Sequence, residues 1–166
     1  FDGLDFKTRE KYITSGEITL YPDVLDCLNR LKNNPLINLA LHTNTPYPLT
    51  KHQLASFNLD EGFFDLILAL DMDEYDQLKA KPEPWGAHFI MGHFLKENGV
   101  DYKKSTVFIG DSYIDMMTAK NAGIPGVQIL REGRVKLDDA FHVITSLNEI
   151  DLAFTRSILE NFFHGE

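Results

Sequence analysis

Short apolar runs alternate along this chain with stretches in which apolar residues recur every three or four positions. After Pro22-Asp23, residues Val24, Leu25, Leu28 and Leu31 fall on one helical face, and Asn33-Asn34-Pro35 ends it. Residues 36–41 form a buried-strand pattern that stops at a small polar turn, residues 42–46; residues 49–57 read as a helix. Residues 63–70 are the next strand, followed by an acidic loop, residues 71–76. A helix from Trp85 to about Asn98 stops at Gly99. Residues 105–109 predict a strand, residues 116–123 a helix, residues 126–130 a strand and residues 140–144 a short last strand. Ser146, with Glu149 three positions on, is placed to cap a closing helix.

Strands alternating with helices predict right-handed βαβ units, and so an α/β fold: a mostly parallel sheet covered on both faces, α/β/α in three layers. Ligands in such sheets sit outside the carboxyl ends of the strands. Thr43 and Asp111 each follow a strand directly, and Lys81 follows the loop after a third, so the pattern predicts that these groups converge in one crevice. Residues 1–17 carry many charges and no clean period. They read as an opening segment, or the remnant of a cap or linker, with a short helix around residues 7–12; residues 18–166 read as the core domain.

Charge narrows the partners. A formal net charge of −9 argues against sequence-independent binding to nucleic acid or to an anionic membrane. No apolar run approaches the roughly 20 residues that span a bilayer. Cys27 stands alone, within a helical pattern, which excludes an intrachain disulfide and reads as a buried structural thiol. With no signal peptide in view, the expected compartment is reducing: cytoplasm or organelle matrix. The first residue is not Met, which leaves open a processed or partial chain.

Three places carry candidate chemistry. Thr43-Asn44 offers a hydroxyl and backbone N–H groups at a strand-to-helix turn, able to hold a phosphoryl oxygen or simply to cap a helix. Lys81 lies in Lys-Pro-Glu-Pro, where two prolines restrain the backbone and aim the ammonium; it reads either as a phosphate neutraliser or as a solvated lysine before a helix. Asp111 and Asp115 lie one helical turn apart after a strand. They suit a hard cation such as Mg²⁺, directly or through water, and each is also a residue type favoured at a helix N-terminus.

The order of these motifs, with 38 positions from Thr43 to Lys81 and 30 from Lys81 to Asp111, resembles the haloacid dehalogenase-like superfamily over about residues 18–152. Leu41-His42-Thr43-Asn44 is similar to its second motif. Lys81-Pro82-Glu83-Pro84 is similar to its third, in the form of phosphoglycolate-phosphatase-like members. Gly110-Asp111-Ser112-Tyr113-Ile114-Asp115, continued by residues 119–125, is similar to its fourth, and Leu20-Tyr21-Pro22-Asp23-Val24 to the lead-in before the second. The resemblance implies a Rossmann-like core and a phosphatase acting on a small phosphorylated metabolite. Thr43 and Lys81 would bind the phosphoryl group, Asn44 would add a donor, and Asp111 would ligate Mg²⁺. Asp115 would ligate through water or hold Lys81 in place, and Ser112 would orient a metal-bound water.

The family's first motif, a strand ending in Asp-x-Asp with the nucleophile, is not matched. Phe1-Asp2-Gly3-Leu4-Asp5 is a distant echo with Leu4 where the second acid belongs. Asp71-Met72-Asp73 has the spacing but falls between the second and third motifs, as an acidic loop would. In this fold the first strand lies between the strands ending at Leu41 and Ile109. Three expectations follow: a strand upstream of Phe1, a strand from a partner chain, or residues 18–21 filling the gap in an inactive scaffold of a larger assembly. Haloacid dehalogenase activity is a further alternative, disfavoured by Lys81 and the Asp111/Asp115 pair. The 37 residues between Thr43 and Lys81 are too few for a large second cap, whereas a helical cap before Phe1 stays open. His42 reads as a substrate contact or a hydrogen-bonded, partly buried ring; His88 and His93, five apart, suit no common metal; and Phe162-Phe163 docks on a partner or on its own domain.

Overall fold

The computed structural model describes residues 3–59, 61–72, 74–99 and 101–165. Asp2 of the first-motif echo and Asp73 of the Asp-x-Asp spacing lie outside the described residues. The elements in order are α1 (Gly3–Thr14), α2 (Val24–Lys32), β1 (Ala40–Pro46), α3 (Tyr47–Ser56), β2 (Leu66–Leu70), α4 (Trp85–Asn98), β3 (Phe108–Gly110), α5 (Tyr113–Ala122), β4 (Gly126–Ile129), β5 (His142–Ile144) and α6 (Leu152–His164). The fold is α/β, every strand pair is parallel, and helices cover both faces.

Three boundaries differ from the apolar pattern, each for a local reason. Leu36 does not start a strand: Asn34 accepts from its N–H through the side chain, the segment turns, and Leu36 stays 68% exposed. β1 therefore begins at Ala40, and it continues through residues 42–46, expected as a turn, with irregular pairing between His42 and Pro46. Asp101 caps Lys103 N, which winds Tyr102–Ser105 into a 3₁₀ turn and delays β3 to Phe108. Ser146 and Glu149 do form a reciprocal capping box, but it closes a 3₁₀ turn, Leu147–Glu149; Asp151 caps α6 separately.

The sheet comes in two parts, β1-β2 and β3-β4-β5. Among the described residues no strand joins β1 to β3, and residues 18–21, one candidate for that place, form no strand. Alternation distributes the core. Val107 and Ile109 pack with Val127, Ile129 and Ile144 against Cys27 and Leu31 of α2 and Ile158 of α6. Phe108 points to the other face, with Ala87 and Met91 of α4 and Ala119 and Ala122 of α5. The same α4 packs Trp85, Phe89 and Ile90 on Leu68 and Leu70 of β2. It therefore packs on both half-sheets.

Cys27 is 2% exposed in this core, and burial pushes its thiol up. At the far end of α6, the Phe162 ring meets Phe141 of its own domain at 5.0 Å. No helix among the described residues is long and apolar enough to cross a membrane.

Candidate active site

Lys81 is the centre of the site. It closes the loop after β2, immediately before α4, and its side chain is 13% exposed. Its Nζ donates to Asp115 Oδ1 at 2.6 Å and to the His42 carbonyl at 3.3 Å. One ammonium thus meets the acid at the start of α5 and the peptide link between His42 and Thr43. The three segments that carry the sequence motifs come together at this point.

Asp115 is held as tightly as its partner. Ser112 at the N-cap of α5 donates to Asp115 Oδ2 from its hydroxyl (2.7 Å) and its backbone N–H (3.1 Å), completing a capping box. Gly110 makes room: a Cβ there would stand 2.3 Å from Asp115 Cβ and 2.6 Å from its Oδ2. Burial pushes the Asp115 carboxyl up, but the Lys81 charge, the hydrogen bond from Lys81 and those from Ser112 outweigh it and leave it below the usual carboxylate range.

The lysine loop is braced on both sides. Asn44 donates from Nδ2 to the Lys81 carbonyl and accepts the Lys81 N–H on Oδ1, both at 2.9 Å. Asn121 of α5 donates to the Pro82 carbonyl at 3.0 Å, and the Lys81–Pro82 peptide is cis. The Asn44 carboxamide therefore spends its oxygen and one of its two N–H groups on the loop. Thr43 Oγ1 accepts from Thr45 N at 3.1 Å, which leaves its own proton to donate.

Asp111 follows β3 directly and is exposed, with no side-chain hydrogen bond or ion pair among the described residues. The candidate donors for a divalent cation are thus one open carboxylate, Asp111, and a second, Asp115, four positions on, whose two oxygens already face Lys81 and Ser112. Among the described residues no three acids, histidines or cysteines converge as a metal cage. Mg²⁺ favours such a sparse set, with one or two carboxylates and the remaining positions filled by water and substrate. The residues fit a partial magnesium shell.

Two residues the sequence reading did not assign complete the picture. Tyr75, 1% exposed, hydrogen-bonds Asn44 and His42; a tyrosine in an acidic loop gives no sequence signal of that role. Asp23 accepts one N–H from each terminal guanidinium nitrogen of Arg131, at 2.8 and 2.9 Å, a contact across 108 positions that no local pattern announces. His42 takes the hydrogen-bonded, partly buried reading. His93 pairs with Glu97 within its own helix, and His88 lies 3.4 Å from the Ala122 carbonyl.

Comparison with known proteins extends this geometry. Residues 3–123 match the family of haloacid dehalogenase-like hydrolases. A phosphoglycolate phosphatase of Photorhabdus laumondii is 34% identical over 118 residues, 71% of this chain and 45% of that protein. The pyrophosphatase PpaX of Halalkalibacterium halodurans is 33% identical over 116 residues, 68% of this chain and 49% of that protein. The crystal structure of CbbY from Rhodobacter sphaeroides in complex with phosphate superposes with a TM-score of 0.68 at 25% identity, covering 87% of this chain and 62% of that one. The chain spans about half the length of the curated relatives it matches.

Proposed function

The chain belongs to the haloacid dehalogenase-like hydrolases, and we propose that it supplies the phosphoryl-binding side of a Mg²⁺-dependent phosphatase for a small phosphorylated metabolite. The observation that carries this reading is the Lys81 ammonium, 2.6 Å from Asp115 and 3.3 Å from the carbonyl before Thr43. Phosphoryl transfer asks chiefly for positioning and for neutralisation of charge on the phosphoryl oxygens. Lys81 supplies a fixed positive charge, Thr43 a free hydroxyl proton, and Asp115 restrains the lysine so that little reorganisation is needed. Asp111, with Asp115 through water, would hold Mg²⁺, which when bound neutralises further phosphoryl charge.

The attacking carboxylate is assigned to a strand seated between β1 and β3, from sequence outside these residues or from another chain. Such a carboxylate divides one hard displacement into two, through an aspartyl-phosphate that water then hydrolyses. The competing reading is a non-catalytic subunit whose open sheet edges are covered within an assembly; the divided sheet favours it equally.

The deciding assay is phosphate release from a panel of phosphomonoesters and pyrophosphate, headed by 2-phosphoglycolate after the relatives' names, with the full gene product and with this chain alone. The phosphatase reading expects release by the full product in Mg²⁺ and its loss in EDTA. A full product inert on the whole panel leaves the scaffold reading.

A further inference from the structure

The grip of Asn44 on the Lys81 backbone works in only one orientation of the carboxamide. Turned over, it would set N–H against N–H and carbonyl against carbonyl. The Tyr75 hydroxyl selects the working orientation by donating to Asn44 Oδ1 at 2.7 Å. The Tyr75 oxygen stands 3.3 Å from the Lys81 N–H and 2.9 Å from His42 Nε2. Because the single hydroxyl proton goes to Asn44, His42 must carry its own proton on Nε2 and donate it to Tyr75. The Nδ1 atom is then a bare acceptor, and it is buried with no hydrogen-bond partner among the described residues.

The surroundings hold this arrangement rigidly. The Tyr75 ring is stacked on Trp85 with centroids 6.0 Å apart and an interplanar angle of 13°. The His42 ring lies on α4 where Gly86 leaves space: a Cβ at Gly86 would stand 2.3 Å from His42 Nε2. Burial and the Lys81 charge lower the His42 pKa to about 3, against a smaller opposing pull from Asp115, so the ring is neutral as the hydrogen bonds require.

We propose that Tyr75, backed by His42, is a positioning residue for Lys81: the hydroxyl fixes the Asn44 carboxamide, and the carboxamide fixes the lysine backbone from which the ammonium reaches the site. The proposal rests on the reading of Lys81 as the phosphoryl-binding cation, but its test does not need turnover.

Two measurements on the native protein and on Tyr75→Phe decide it. In the native protein, long-range ¹H–¹⁵N correlation of the imidazole is expected to show neutral His42 with its proton on Nε2 at pH 7. In Tyr75→Phe, which keeps the stacked ring, acylation of Lys81 by an amine-reactive ester is read by mass spectrometry against Lys51 in the same molecule. Its ratio is expected to rise about tenfold, the population shift that one lost buried hydrogen bond permits. Asn44→Ala sets the scale for a freed loop. A proton on Nδ1, or a Lys81 ratio that rises in Asn44→Ala but stays at the native value in Tyr75→Phe, overturns the proposal. If Tyr75→Phe does not fold, the imidazole tautomer of the native protein decides alone. An inert full product with the expected tautomer and ratio would refute the phosphatase reading and leave the positioning role standing.

Discussion

Two ion pairs of nearly equal burial sit in this molecule and are completed differently. Asp23 and Arg131, 10% and 14% exposed, form a closed unit. Asp23 takes two N–H groups from Arg131, the Ser146 hydroxyl at 3.0 Å and the Leu147 N–H at 2.8 Å, while Arg131 also stacks on Tyr21 at 4.2 Å. Lys81 and Asp115, 13% and 9% exposed, are left unfinished. The ammonium has three N–H groups and two acceptors among the described residues. Equal burial therefore does not mean equal role. Asp23, both of whose oxygens accept, ties α2 to the turn after β5, whereas the Lys81–Asp115 pair is the one we propose meets a ligand.

Substitutions should separate the two. The largest expected effect is on turnover. In the full gene product Lys81→Met should lower kcat about 10³-fold, the order seen when a preorganised charge-stabilising donor is removed. Arg131→Met should leave kcat within a few-fold while lowering the unfolding midpoint; steady-state assays with parallel thermal melts check both. Next comes Asp23→Ala, which strands the Arg131 guanidinium and should cost about 3 kcal/mol in urea unfolding.

Acid should distinguish the pairs a third way. His42 has a folded pKa of about 3, below its unfolded value, so the unfolded chain binds the extra proton. Stability should rise with pH from about 3 to 6.5, with a slope approaching about 1.4 kcal/mol per unit. Asp23, held down by the Arg131 hydrogen bonds, and Asp115 also have lowered pKa values; their contributions are present above the ordinary aspartate range and are lost as pH falls through the folded values. Urea titrations from pH 3 to 8 should show both phases, and Asp23→Asn should remove only part of the lower one.

The smallest contrast concerns the serines. Ser112 and Ser146 each cap a turn and each hydrogen-bond the acid of one pair. Ser112→Ala and Ser146→Ala should each cost about 1 kcal/mol. Only Ser112→Ala should also reduce kcat, since only Asp115 holds the lysine proposed to bind the phosphoryl group.

Much of this was legible in the chain order. Apolar runs found all five strands and helical patterns found α2 to α5, because burial in this fold clusters apolar residues; the closing helix, expected near Leu147, begins instead at Leu152. Strand-end placement predicted that Thr43, Lys81 and Asp111 converge; the structure joins Lys81 to Asp115 and to the carbonyl before Thr43, while Asp111 makes no side-chain hydrogen bond or ion pair with them among the described residues. Boundaries were lost where a side chain rewrote the backbone: Asn34 turned an apolar run away from the sheet, and Asp101 tightened another into a 3₁₀ turn. Asn44 was expected as a ligand donor, yet its carboxamide faces Lys81. That outcome depends on a peptide unit 37 positions away. Tyr75 and the Asp23–Arg131 clamp were invisible for the same reason: their partners become neighbours only after folding.

The division of the sheet between β1 and β3 has a consequence for proton exchange. In a parallel strand successive amides point to opposite sides, so β1 offers alternate N–H groups to β2 and to the side away from it. Deuterium labelling of this chain should give a striped record along residues 40–42, the regularly paired part of β1, slow and fast in turn. β4, flanked by strands on both sides and fully buried, should label slowly throughout. Any peptide that seats itself beside β1 would erase the stripes, which makes their disappearance a direct readout for finding the sequence that completes this sheet.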